Sequence, residues 1–173
     1  MRTAILALAL ALLAPTMALS QTAAWKTLSY PDLHMTLSAP ADIAPKISHE
    51  TIPAAGKQVP ATIIAFLLPQ YGDAGLQVMV MDFTGLGLQA DVDAAARGVV
   101  AAAPDATQVS ITPISFQGAA GRDISLHTGG RLFKERLIVM GARMYQMQTI
   151  TAPGATAPLS ETDRFVAGLT ILP

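Results

Sequence analysis

Long apolar runs and one helical periodicity organise the chain after its first twenty residues. Residues 61–68 (ATIIAFLL) and 76–83 (LQVMVMDF) are apolar at most positions, with the turn segment PQYGDAG between them. Strands that are buried on both faces show such continuous apolar runs. The two runs therefore predict an antiparallel hairpin in the middle of a sheet that is covered on both sides.

A helical pattern follows over residues 90–103. Asp91 is a favourable N-cap, Asp93 adds a favourable charge to the first turn, and Pro104 ends the segment. We expect this helix to pack on the sheet, because its apolar residues recur at helical spacing and form one stripe: Val92, Ala95, Ala96, Val99 and Ala103. A short final helix is predicted after the capping-box-like segment 160–163, and its inward residues are Phe165, Val166 and Leu169.

The remaining segments predict strands and one long loop. Residues 39–60 contain four prolines, and we expect them to be mostly loop. The chain is therefore predicted to be an α+β protein, with a mainly antiparallel sheet of about six to seven strands covered by a central helix and a C-terminal helix. The further strands are predicted at 28–30, 34–38, 109–116, 122–128, 131–140 and 143–151.

Two tight turns, Gly129-Gly130 and Gly141-Ala142, predict the register of the last strands. They place Asp123 opposite Arg136 and Ile138 opposite Tyr145. One face of this meander is then apolar, with Glu135 as the exception, and is made of Ile124, Leu126, Phe133, Leu137, Val139 and Met144. The other face is mixed and polar: Asp123, Ser125, His127, Lys134, Arg136, Arg143 and Tyr145.

Basic residues are concentrated on this polar face and its turns. Five of the ten basic residues that follow position 20 lie between 122 and 143. Arginine presents a planar fork for carboxylate or phosphate, so the face is a candidate surface for an anionic small ligand or an acidic protein partner of the cell envelope. The simpler interpretation is a solvated sheet face on which Asp123 neutralises Arg136. The candidate residues are His127, Lys134, Arg136, Arg143 and Tyr145.

The first twenty residues have the three-part plan of a secretory signal peptide. Met1-Arg2 is followed by an apolar run over residues 4–14, and small residues precede Gln21. Cleavage is expected after Ser20, with Ala18 at the −3 position, or alternatively after Ala18. The apolar run is too short for a membrane anchor, which needs about 20 residues. We therefore expect a cleaved signal peptide, residues 1–20, and one soluble domain, residues 21–173, in the periplasm or outside the cell.

Composition narrows the classes of function. Residues 21–173 carry 10 basic and 12 acidic side chains, so no broad basic field favours nucleic-acid binding. The chain has no cysteine, which excludes a lipid-anchored bacterial lipoprotein, a disulfide scaffold and a thiol nucleophile. A domain of about 150 residues can bury roughly two-thirds of its unfolded surface, so packing alone can hold it together.

The chain contains only weak matches to catalytic, phosphate-binding or metal-binding motifs. There is no G-x-S-x-G, the histidines His34, His49 and His127 are scattered, and the glycine-bearing turns match no phosphate-binding loop. No catalytic, cofactor-binding or metal-binding residue is therefore assigned, and no cofactor is expected. One alternative is copper(I) on thioethers from Met79 and Met81 or from Met144 and Met147, against the simpler role of methionine as a core filler. Trp25 is expected to anchor the N-terminal strand.

Several segments together resemble a known fold. They are Leu37-Ser38-Ala39-Pro40, the turn and strand start at 118–123, the "strand, Gly-x-Arg-x-Tyr, strand" segment at 136–146, and a closing helix with Phe165. This ending resembles the PsbP/Mog1-like fold of small exported bacterial proteins, over about Leu28–Pro173. The resemblance implies an α/β/α sandwich around an antiparallel sheet, and accessory, assembly or binding roles rather than catalysis. It carries over no functional residue.

The function expected from the sequence is that of an exported accessory or binding protein of the cell envelope, without evident catalytic activity. One alternative is a periplasmic enzyme, such as a hydrolase, with residues that no motif identifies. Another is a carrier of a small apolar ligand. A deep cleft with converging His, Asp and Arg side chains would favour the enzyme. An apolar cavity would favour the carrier, and a flat surface would favour a protein that binds another protein.

Overall fold

The computed structural model describes residues 24–173, so the signal peptide predicted for residues 1–20 lies outside the described residues. Two single 3-10 turns, Pro31–Leu33 and Pro69–Tyr71, separate some of the strands. The main elements of the described chain are β1 (Trp25–Tyr30), β2 (Met35–Pro40), β3 (Lys46–Ala54), β4 (Lys57–Leu68), β5 (Ala74–Asp82), α1 (Val92–Ala101), β6 (Thr107–Phe116), β7 (Ala119–Thr128), β8 (Arg131–Met140), β9 (Arg143–Ile150), α2 (Thr162–Ala167) and β10 (Leu169–Ile171).

Seven of the strands form one antiparallel sheet in the order β3-β4-β5-β9-β8-β7-β6. The hairpin predicted from the two apolar runs is confirmed as β4 and β5, with Ala61 opposite Met81. The register predicted from the two tight turns is also confirmed, since Asp123 faces Arg136 and Ile138 faces Tyr145. Glycine at positive φ in both turns allows the strands to reverse within two residues.

A second sheet of three strands, β1-β2-β10, covers one face of the large sheet, which we call the small-sheet face. Leu37 of β2 and Leu169 of β10 are buried there beside Phe66 and Tyr145 of the large sheet. Helix α2 adds Phe165, whose ring meets Phe66 edge-on with a centroid separation of 6.3 Å. This layer is the main hydrophobic core of the protein.

Helix α1 packs on the opposite face of the large sheet, which we call the helix face. The predicted cap is confirmed: one carboxylate oxygen of Asp91 accepts hydrogen bonds from the backbone N–H groups of Asp93 and Ala94, at 2.8 and 3.0 Å. Val92 and Ala96 are buried against strands β7 and β8. The apolar face predicted for the meander, including Ile124, Leu126 and Leu137, forms the floor under this helix.

The predicted sandwich is confirmed only in part, because the protein is richer in β-structure than expected. The cover of the small-sheet face is mostly a sheet, and α2 has only six residues. The carbonyl oxygen of Gly168 accepts a hydrogen bond from Ser38 N at 2.9 Å, so the chain leaves the helix to pair with β2. Leu169, which was predicted on the inward face of the helix, therefore lies in β10.

The prediction of a loop over residues 39–60 is wrong for most of that segment. Residues 46–54 form strand β3, which pairs antiparallel with β4 from Lys57 onwards. The prolines are tolerated for positional reasons. Pro53 lies on an edge strand, and Pro60 lies just before the stretch of β4 that pairs with β5.

The contacts of Gly121 generate a prediction about stability. A Cβ atom at this position would lie 2.7 Å from the carbonyl oxygen of Leu137 and 2.9 Å from Ile114. Because the Leu137 oxygen belongs to a paired strand and cannot move aside, we expect Gly121→Ala to lower the free energy of unfolding by about 1–3 kcal/mol in urea denaturation.

Gly98 supplies the matched control for that substitution. A Cβ atom there meets nothing within 4 Å, and the residue lies inside α1. Since alanine favours a helix over glycine, Gly98→Ala is expected to raise the free energy of unfolding by up to about 1 kcal/mol. A Gly121→Ala variant as stable as the wild type would contradict the packing argument.

Candidate functional site

An apolar cleft opens on the helix face because α1 covers only part of the sheet. A helix with its side chains is about 10 Å wide, whereas strands are spaced about 4.8 Å apart, so one helix covers two or three strands. Helix α1 lies over β7 and β8. The helix face of β5 and β9 is therefore left beside it as most of the floor of an open cleft of about 690 Å³.

We call this opening the helix cleft. Its walls and floor come from four parts of the chain. The tip of the β3–β4 hairpin forms one wall, with Ile52 and Ala54, and α1 forms the opposite wall with small residues such as Ala95 and Gly98. The 83–91 segment closes one side through Phe83 and Leu88. The floor is formed by side chains of the central strands: Met79, Met81, Leu137, Met144 and Gln146.

Three methionines give this floor an adaptable surface. Strand pairing sets Met81 directly opposite Met144, with Met79 two residues further along β5 on the same face. Thioether side chains are flexible and polarisable, which suits a surface that adjusts to different apolar shapes. Met147 lies opposite Val78 on the small-sheet face, so the structure brings together three of the four methionines of the copper alternative, which stays untested.

Glu135 is a buried carboxyl group on the helix face and is only 6% exposed. Its two oxygens accept hydrogen bonds from the side-chain amides of Gln146 and Gln148, both at 2.7 Å. Burial raises the pKa of Glu135, and the two amide hydrogen bonds oppose this shift only in part. Gln146 also lines the helix cleft, so it connects the buried carboxylate to the cleft floor.

Three of the five residues predicted as a binding surface lie together on the small-sheet face. Lys134 and Arg136 line a small polar cleft of about 190 Å³ near α2, and His127 follows on the neighbouring strand β7. Arg136 donates two hydrogen bonds to Asp123, both at 2.7 Å, and this contact raises the pKa of its guanidinium group. Within residues 24–173, Lys134 forms no ion pair.

The other two predicted residues, Arg143 and Tyr145, lie on β9, about four strand positions away from Lys134 and Arg136. Arg143 forms an ion pair with Asp82 at 3.1 Å. Tyr145 is buried, its hydroxyl group donates a hydrogen bond to the carbonyl oxygen of Leu33 at 3.1 Å, and burial raises its pKa. Strand pairing therefore divides the predicted surface into two places, and Tyr145 is buried in the core with its hydroxyl group near the guanidinium group of Arg143.

The histidines do not converge. His34 follows the first 3-10 turn, His49 lies on the edge strand β3, and His127 lies on β7. Within residues 24–173, no group of three or more His, Asp or Glu residues is placed to hold a metal ion. In the same range, no helix is both long and apolar enough to cross a bilayer.

The burial of Glu135 predicts a pH-dependent gain in stability for Glu135→Gln. The folded-state pKa is raised, so the charged form weakens the fold at pH values above that pKa and the penalty disappears as the pH falls through it. We therefore expect the variant to exceed the wild type in free energy of unfolding at pH 7, and this advantage to vanish below about pH 4. Urea denaturation across this pH range measures both quantities.

Glu50→Gln is the control, because it makes the same change of charge on the exposed strand β3. It should alter the free energy of unfolding by less than about 0.5 kcal/mol. If Glu135→Gln were less stable than the wild type at pH 7, the carboxylate would be stabilising the fold, contrary to this account.

Comparisons with known proteins bear on the fold. No family model and no curated protein matches the chain. The solution structure of cyanobacterial PsbP (CyanoP) from Synechocystis sp. PCC 6803 matches with a TM-score of 0.58 at 10% sequence identity. The match covers 86% of this chain and 93% of that one. The PsbP part of the resemblance predicted from the sequence is thus confirmed, and the chain has a PsbP-like fold.

Proposed function

We propose that this protein is an exported accessory protein of the cell envelope that acts by binding, and that the helix cleft is its binding site. One observation carries the proposal: a cleft of about 690 Å³, lined mostly by apolar side chains, lies open beside α1. Sites for small molecules usually have volumes of about 300–1,000 Å³, apolar walls and few polar groups. Export is inferred from the pattern of residues 1–20 alone.

The chemistry of the lining favours binding over catalysis. Hydrolysis needs a nucleophile or an activated water and a group that moves protons. The residues of this lining that could take part are Gln89, Asp91 and Gln146, and the Asp91 carboxylate already caps α1. The walls instead offer apolar area, which supports affinity for apolar groups. Among the alternatives drawn from the sequence, this cleft favours the carrier of an apolar ligand.

A cleft-filling substitution tests the proposed site. Gly98 lies on the helix wall, and a Cβ atom there would meet nothing within 4 Å, so Gly98→Leu should narrow the cleft by adding an apolar side chain to its wall. We expect native mass spectrometry of the protein purified from its own host to show a bound small molecule, and Gly98→Leu to reduce its occupancy at least tenfold.

Gly98→Ala is the control and should retain the bound molecule, because a methyl group leaves most of the cleft empty. The proposal fails if the occupancy is the same in Gly98→Leu as in the wild type, because the molecule must then lie elsewhere. It also fails if the wild-type protein carries no small molecule.

The polar cleft near α2 supports a second candidate function, the binding of an anionic ligand or acidic partner. Lys134 lines this cleft together with Ser110, Thr112 and Ser125. Three acidic residues, which oppose the binding of an anion, belong to the same lining: Asp123, Glu135 and Asp163. A cation beside several hydroxyl groups is suited to phosphate or carboxylate. Arg136 supports the site less directly, because Asp123 already neutralises it.

Titration with inorganic phosphate tests this second candidate. We expect Lys134→Gln to weaken phosphate binding by about tenfold, since a charge-assisted hydrogen bond contributes roughly 1.5–3 kcal/mol. Nuclear magnetic resonance shifts of the β7 and β8 amides would follow the titration. Lys46→Gln, on the exposed edge strand β3, removes the same charge elsewhere and should leave the binding unchanged. Equal phosphate binding by both variants would exclude Lys134 as the anion-binding residue.

A further inference from the structure

We infer that the helix cleft selects a small, uncharged, apolar molecule that carries one hydrogen-bond donor, and that Gln146 accepts that hydrogen bond. The inference rests on the proposed function, because it names the class of ligand for the same cleft. Its support comes from the polar atoms of the floor, the charges of the lining and the shape of the helix wall.

The amide of Gln146 has a fixed orientation, because its nitrogen donates to Glu135 Oε2 at 2.7 Å. Its carbonyl oxygen forms no hydrogen bond within residues 24–173. No buried side-chain oxygen of that range lacks a partner, so the carbonyl oxygen of Gln146 is accessible. Glu135 thus leaves the cleft floor with a hydrogen-bond acceptor, and an acceptor surrounded by apolar side chains favours a ligand that brings a donor.

The charges of the lining disfavour an anionic ligand. Among the described residues that line the cleft, one is a carboxylate, Asp91, and none is Lys, Arg or His. Burying an anion without a cationic partner is strongly unfavourable. Lys57 lies near the rim, where its ammonium group donates a hydrogen bond to the carbonyl oxygen of Leu86. A fatty acid or another acidic amphiphile would therefore find no cation among the lining residues, whereas an uncharged molecule needs none.

The helix wall keeps the cleft open. Ala94 and Gly98 of α1 and its C-cap residue Ala102 recur every four residues, and all three line the cleft. Glycine inside a helix destabilises it by about 1 kcal/mol relative to alanine, yet no neighbouring atom prevents a Cβ at Gly98. Packing therefore does not require glycine at this position. The row of small residues leaves room for a flat or elongated molecule between the helix and the three methionines of the floor.

Two fluorescent probes test the preference for an uncharged ligand. N-phenylnaphthylamine is uncharged and apolar with one N–H donor, and anilinonaphthalene sulfonate has the same rings with an added sulfonate. We expect the purified protein to bind the uncharged probe at one molecule per chain, with the sulfonate analogue at least tenfold weaker. Gly98→Leu should abolish binding of the uncharged probe, and Ala101→Leu, which adds bulk to an exposed position of α1 outside the cleft lining, should preserve it.

A third probe tests the hydrogen bond to Gln146. The N-methyl derivative of the uncharged probe lacks the N–H donor, and we expect it to bind the wild type about threefold to tenfold more weakly, as for one net hydrogen bond. In Gln146→Met, N-methylation of the probe should cost less affinity than in the wild type, since the acceptor is gone. This cycle of two probes and two proteins separates the hydrogen bond from the added bulk of the methyl group.

The outcomes distinguish this inference from the proposed function. If the sulfonate analogue binds as well as the uncharged probe and Gly98→Leu abolishes both, the cleft is a binding site but the inferred ligand class is wrong. If N-methylation of the probe lowers its affinity equally for the wild type and for Gln146→Met, Gln146 does not accept the hydrogen bond. If no probe binds, or if Gly98→Leu leaves binding intact, both the inference and the proposed site fail. Ala94→Leu, one helical turn earlier, repeats the test should Gly98→Leu not fold.

Discussion

The rest of this structure depends on one constraint: a single helix is much narrower than a seven-stranded sheet. Helix α1 can cover only two or three strands, and it lies over β7 and β8. The opposite face has a wider cover, because β1, β2 and β10 form a sheet of their own there. The uncovered apolar floor on the helix face is thus a consequence of the fold's layers, and it becomes the largest candidate site.

Local chemistry allowed much of the sheet to be predicted from the sequence. The glycine turns at 129–130 and 141–142 define the register of three strands, because a two-residue hairpin leaves no freedom in pairing. The cap at Asp91 and the apolar stripe likewise define α1. Each of these features depends on residues that are close in sequence, where turn geometry and periodicity act directly.

Features that depend on distant residues could not be predicted in the same way. Strand β3 carries Pro53 and was expected to be loop, and only its position at the sheet edge explains why the proline is tolerated. The pairing of β10 with β2 joins residues more than 130 positions apart. The cleft itself has no sequence signal, since Met79 and Gly98 show nothing separately about the space between them. Glu135 was the one residue of this face that stood out in the sequence, because it is a charged residue in an otherwise apolar stripe.

The cluster of basic residues in the sequence contributes mainly to ion pairs within the protein. Arg122, Arg131, Arg136 and Arg143 each form an ion pair with an aspartate. Several of these pairs connect different elements, as when Arg122 of β7 reaches Asp93 at the start of α1 and Arg143 of β9 reaches Asp82 of β5. An arginine that already holds a carboxylate must give up that contact before it can bind an external anion, which lowers its net affinity. The apolar side chains of the cleft floor form no such ion pair within residues 24–173, and this difference is the physical reason to prefer the helix face for the proposed binding site.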